Sequence, residues 1–118
     1  MAPLAFTTVL TSAGDALISL TGELDLSGAP PLEEEIARLA GQDGVRRVVL
    51  DLRELEFMDS SGLRTVALGA RSLRAVGREI VLVRGRDVVQ RVFSITRMDE
   101  YLTFVDDPGA LGDDEAVA

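Results

Sequence analysis

The run Leu50-Asp51-Leu52-Arg53-Glu54-Leu55-Glu56-Phe57-Met58-Asp59-Ser60-Ser61-Gly62-Leu63 decides the fold. To its left, Val45-Arg46-Arg47-Val48-Val49-Leu50-Asp51-Leu52 is the most apolar strand-like segment of the chain. A strand buried on both faces has this composition, so the segment predicts a central position in a sheet. To its right, Leu63, Val66, Ala67, Ala70, Leu73 and Val76 recur at helical spacing. They predict a helix over 60–76 that Gly77 ends. A strand, a short loop and a helix mouth therefore meet within a few residues. An acid, two hydroxyls and a glycine sit at that mouth, which makes it the first candidate for a functional site.

Working outward, Leu4–Leu10 is rich in β-formers, and Ser12-Ala13-Gly14-Asp15 has the composition of a turn. Residues 16–21 alternate loosely, so the two segments predict an antiparallel hairpin. Gly22-Glu23-Leu24-Asp25 follows as a predicted loop, with Ser27 as the expected cap of a first helix. Pro30 and Pro31 are tolerated only in a first turn, and Glu33-Glu34-Glu35 favours a helix start electrostatically. Leu32, Ile36, Leu39 and Ala40 give the packing stripe, and Gly41 the stop. Beyond Gly77, Ile80–Val83 predicts a strand. Asp87 is the expected cap of a third helix that packs through Val88, Val89, Val92, Phe93 and Ile95. Met98-Asp99-Glu100 predicts a turn and Tyr101–Val105 the last strand. The order is ββ-α-β-α-β-α-β. Strand–helix–strand units of this length imply parallel crossovers, hence a mixed α/β sheet of about five strands with an antiparallel edge.

Composition narrows the chemistry. The 118 residues suit one domain, assigned to 1–107, and 47% are hydrophobic, enough for a core. Residues 108–118 are assigned to an acidic, disordered tail containing Asp113, Asp114 and Glu115. There is no cysteine and no histidine, which excludes disulfides, thiolate sites and Ser-His-Asp or Cys-His machinery. The net charge is −8 with every cation an arginine, a poor match to nucleic acid. No apolar run reaches the length of a membrane span, so the expectation is a cytoplasmic protein without membrane insertion. No glycine-rich nucleotide fingerprint and no calcium-loop spacing occurs, so no cofactor and no metal is called for.

Asp59-Ser60-Ser61-Gly62 supports two readings. In one, a hydroxyl caps the helix amides and glycine allows the tight turn. In the other, an outward-pointing serine accepts a phosphate. About −2 of charge would then be added to an acidic surface, blocking a docked partner. Gly22-Glu23-Leu24-Asp25 is likewise either a loop whose acid binds its own backbone, or a second wall of the same site. Loops leaving neighbouring parallel strands gather at one sheet edge. Arg64, Arg71, Arg74 and Arg78 form either a solvated face or a docking face for an acidic partner.

Taken together, Gly22-Glu23-Leu24-Asp25, Val48-Val49-Leu50-Asp51-Leu52 and Phe57-Met58-Asp59-Ser60-Ser61-Gly62-Leu63 resemble a STAS domain. More closely, the chain resembles the bacterial anti-sigma factor antagonists over about residues 4–105. The resemblance implies a STAS fold and a partner switch without enzymatic activity of its own. The unphosphorylated antagonist binds an anti-sigma factor with GHKL-type serine kinase activity and so releases the sigma factor. The kinase phosphorylates the antagonist, and a PP2C-type phosphatase restores it. The phosphoacceptor of the family falls on Ser60. The expected partner surface comprises Asp25, Leu26, Ser27, Asp59, Ser61, Gly62, Leu63, Arg64 and Arg71. Arg64 departs from the glycine that the best-studied type often carries there, which bears on partner choice. The alternative is a STAS subunit of a lipid-transport complex or stress-signalling scaffold, with Ser60 only a cap.

Overall fold

The computed structural model describes residues 2–109 and 111. Among these residues nine elements follow one another. They are β1 (Ala5–Leu10), β2 (Asp15–Leu24), α1 (Ala29–Ala40), β3 (Arg47–Met58), α2 (Ser60–Ala75), β4 (Glu79–Val83), α3 (Asp87–Ile95), a 3₁₀ turn (Met98–Glu100) and β5 (Thr103–Val105). The five strands form one sheet in the order β1-β2-β3-β4-β5. β1 and β2 are antiparallel, and every other neighbouring pair is parallel. This is the mixed α/β sheet that the strand and helix spacing predicts.

The central strands carry their helix-facing residues at alternate positions. Ala16, Ile18 and Leu20 of β2, Val48, Leu50 and Leu52 of β3, and Ile80 and Leu82 of β4 join one buried cluster. Leu32, Ile36 and Leu39 of α1, Val66, Ala70 and Leu73 of α2, and Val89 and Phe93 of α3 complete it. Apolar burial of this kind is the main driving force of folding. Phe93 meets Phe104 edge-on at 5.1 Å, which ties α3 to β5.

Two predicted loops are strand instead. β2 runs on through Gly22-Glu23-Leu24, and β3 runs on to Met58. Two register shifts make this possible. Ser19 and Thr21 pair with Asp51 and Glu54, and Gly22 and Glu23 pair with Leu55 and Phe57. β3 thus gains one residue on β2 at each shift, the geometry of a β-bulge. Each bulge resets the alternation, so Leu52, Leu55 and Met58 are all buried although they stand three apart. Gly22 supplies the required backbone, with φ 81°, and a Cβ there would sit 2.2 Å from the Pro3 carbonyl oxygen.

Helix ends also differ from expectation. Gly28, not Ser27, caps α1, and Arg86, not Asp87, precedes α3. With α1 beginning at Ala29, the acidic run 33–35 lies past its first turn. On α3, Val89 and Phe93 are buried while Val88 and Ile95 are exposed, because so short a helix presents only one stripe to the sheet. Val76 is likewise exposed, as the cap of α2 rather than part of its face. Of the assigned tail, Pro108, Gly109 and Leu111 line a cleft beside Leu17 and Val49, and Asp113, Asp114 and Glu115 lie outside the described residues.

Candidate functional site

Parallel pairing brings the ends of β2 and β3 together. Leu24 is in register with Met58, and the Asp59 amide donates to the Leu24 carbonyl at 3.3 Å. The β2–α1 and β3–α2 loops therefore leave the sheet side by side, at the carboxyl edge where α/β sites form. The two candidate stretches are two walls of one surface.

Asp59 builds the helix mouth. Its backbone is extended, and its Oδ1 accepts the amides of Ser61 at 2.9 Å and Gly62 at 3.1 Å. The cap is thus a carboxylate, not a serine hydroxyl. A carboxylate reaches the same amides and also favours the positive end of the helix. The Ser60 side chain is consequently relieved of that role. Ser60 is exposed, and its hydroxyl has no hydrogen-bond partner among the described residues. Ser61 is half-buried, and its carbonyl accepts from the Thr65 hydroxyl. That hydroxyl also lies 3.1 Å from Oε1 of Glu33 and links α2 to α1.

Gly62 is buried under the site rather than on it. A Cβ at this position would fall 2.6 Å from Met58 Cγ and 2.8 Å from the Leu24 carbonyl oxygen. Glycine lets α2 start this close to the end of β2. Leu63 is half-buried and packs on the core.

Asp25 repeats the Asp59 arrangement on the neighbouring loop. Its Oδ1 accepts the amides of Ser27 and Gly28, both at 3.1 Å, which is why Ser27 is not needed as a cap. Leu26 projects beside it with 75% of its surface exposed. Asp25 also lines a cleft of about 320 Å³ with Pro3, Leu4, Phe6, Glu23 and Pro31.

The outer stripe of α2 continues the surface. Ser60, Arg64, Leu68 and Arg71 follow one another at helical spacing and are all exposed. Arg64 and Arg71 have no ion-pair partner among the described residues. Arg74 and Arg78 are different. Arg74 donates to the Tyr101 carbonyl at 2.8 Å, and Arg78 to the carbonyls of Leu39 and Gln42 at 2.6 Å each. They fasten the far end of α2 and do not extend a basic docking face. Two further residues belong to the surface by exposure, Phe57 at 41% and Leu68 at 40%. The polar neighbours of Phe57 in the sequence were the available signal. Among the described residues no group of three or more acidic side chains is placed to hold a metal.

The chain matches the STAS domain family over residues 7–110 and belongs to that family. Within it, the chain groups with the anti-sigma factor antagonists. It is 41% identical over 83 residues to BtrV of Bordetella bronchiseptica, designated an anti-sigma factor antagonist, covering 70% of this chain and 71% of that protein. It is 29% identical over 85 residues to the anti-sigma-B factor antagonist of Staphylococcus aureus, covering 72% and 78%. Among solved structures, the unphosphorylated form of the anti-sigma factor antagonist SpoIIAA superimposes with a TM-score of 0.81 at 24% identity, covering 97% and 99%. The phosphorylated form of this Bacillus cell fate determinant gives 0.73 at 25% identity, covering 92% and 98%.

Proposed function

We propose that this protein is an anti-sigma factor antagonist switched by phosphorylation of Ser60. Unphosphorylated, it docks through the Asp25 and Asp59 loops and the outer stripe of α2 onto an anti-sigma factor with GHKL-type serine kinase activity. Docking releases the sigma factor in the cytoplasm. Phosphorylation of Ser60 ends the complex, and a PP2C-type phosphatase restores it. In this reading the protein serves as substrate and ligand, not as catalyst, and its sequence has no histidine or cysteine to activate Ser60.

One observation carries this reading. The helix mouth is capped by Asp59, so the Ser60 hydroxyl stands exposed and without structural employment. The kinship with BtrV and the occurrence of SpoIIAA in phosphorylated and unphosphorylated forms support it. Exposed apolar Leu26, on the Asp25 loop, and Leu68, on the same stripe of α2 as Ser60, provide anchors of the kind that interfaces bury. Placing about two negative charges at the helix mouth would force a partner to desolvate a strongly hydrated anion on docking, which weakens binding.

The test is to incubate the protein with ATP and purified anti-sigma kinases and to map the phosphate. Ser60→Ala should take up none while still binding the kinase. Ser60→Asp should weaken binding by about tenfold or more in a titration calorimeter. Label at Ser61 in place of Ser60, or unchanged binding of Ser60→Asp, would refute the switch.

A further inference from the structure

We infer that Arg64 clamps the phosphate of phosphorylated Ser60 on the surface of its own helix. The inference rests on Ser60 as the phosphoacceptor and adds a residue that positions the product. Three observations carry it. Ser60 is exposed with a hydroxyl that has no partner, and Arg64 is exposed with a guanidinium that has no ion pair, among the described residues. Both lie on α2 at i and i+4, where Cβ atoms are about 5–6 Å apart. Asp59 already occupies the amides of Ser61 and Gly62, so the phosphate cannot take them.

The direction of the pair is favourable. Side chains on a helix lean toward its N-terminus, so Arg64 leans back over Ser60. An anion one turn N-terminal to a cation is also the better order for such a pair. The charges around the phosphate are otherwise acidic. They are Asp59 at the helix start, Asp25 on the adjoining β2–α1 loop and Glu33 on α1, the last joined to Thr65. Arg64 is the cation one turn away, and its planar fork suits two phosphate oxygens at once. A docked kinase that has just transferred the phosphate thus faces an anion partly neutralised from below, and a phosphatase must draw it off the arginine.

The experiment installs phosphoserine at position 60 during translation, so no kinase is needed. The phosphate is then titrated by ³¹P NMR in the full chain at about 0.15 M salt, where exposed charges more than about 8 Å away are largely screened. Arg64→Ala should raise the second phosphate pKa, ordinarily near 6, by about half a unit. Arg64→Lys should keep part of the wild-type value. Arg71→Ala removes the same charge about 10 Å further along the helix and should leave the titration unchanged. An identical titration in wild type and Arg64→Ala, with both folded, overturns the clamp. So does an equal shift from Arg71→Ala, which would mark bulk charge instead of a contact. Failure of every kinase to label Ser60 would remove the switch yet leave this titration to be read by itself.

Discussion

Asp59 and Gly62 illustrate how few atoms define the helix mouth. Asp59 Oδ1 satisfies two amides that would otherwise lack partners. Asp59→Ala should lower stability by about 1 kcal/mol in urea denaturation, and Asp59→Asn should recover most of it. Gly62→Ala pushes a methyl against Met58 Cγ and the Leu24 carbonyl, and overpacking of this kind costs about 1–3 kcal/mol. Asp51 gives a prediction in pH. Burial raises its pKa, but Arg53 outweighs this, with Nε at 3.0 Å, Nη2 at 2.8 Å and the backbone amide at 3.1 Å, and holds the carboxyl below its usual range. A lowered folded pKa means stability that is complete above the ordinary carboxylate range and lost as pH falls through the lowered value. Arg53→Ala should therefore move the acid unfolding midpoint, followed by circular dichroism, to higher pH. At this scale the sequence placed the right residues together but not their roles. A serine hydroxyl and an aspartate carboxylate one residue apart are equally good caps, and only the backbone angles at Asp59 decide between them.

At the scale of elements, the order and type of the five strands and three helices described above were legible, because the continuous apolar run around Leu50 and the helical spacing around Val66 differ so clearly. The extension of β2 and β3 was not. Leu52, Leu55 and Met58 stand three apart, which matches neither period, until two bulges restore the alternation. The adjacency of the Asp25 and Asp59 loops then follows from Leu24 and Met58 being in register. The packing of α2 on α1 adds a polar tie through Thr65, which is 1% exposed. Thr65→Val keeps the shape and removes the hydroxyl. It should cost about 1 kcal/mol in thermal or urea denaturation.

At the scale of the molecule, the site and a deeply buried ion pair sit at opposite ends of the sheet. Asp15 and Arg47 begin β2 and β3 and meet at 2.9 and 2.8 Å, with side chains only 6% and 5% exposed. The hydrophobic-core pattern gave no sign of this pair, since charged residues bounding an apolar run look like solvated ends. Arg47→Ala leaves the Asp15 carboxylate buried without that partner and should destabilise by about 3–5 kcal/mol. Partner affinity of the folded fraction should stay within about twofold of wild type, because sites this far apart with no shared contacts behave independently.

The unemployed hydroxyl of Ser60 reaches beyond signalling. A residue with no part in holding the fold can be altered without altering how much folded protein a cell keeps. On the proposed switch, a group added to Ser60 would therefore change what docks on the helix mouth while leaving the buried cluster beneath it intact.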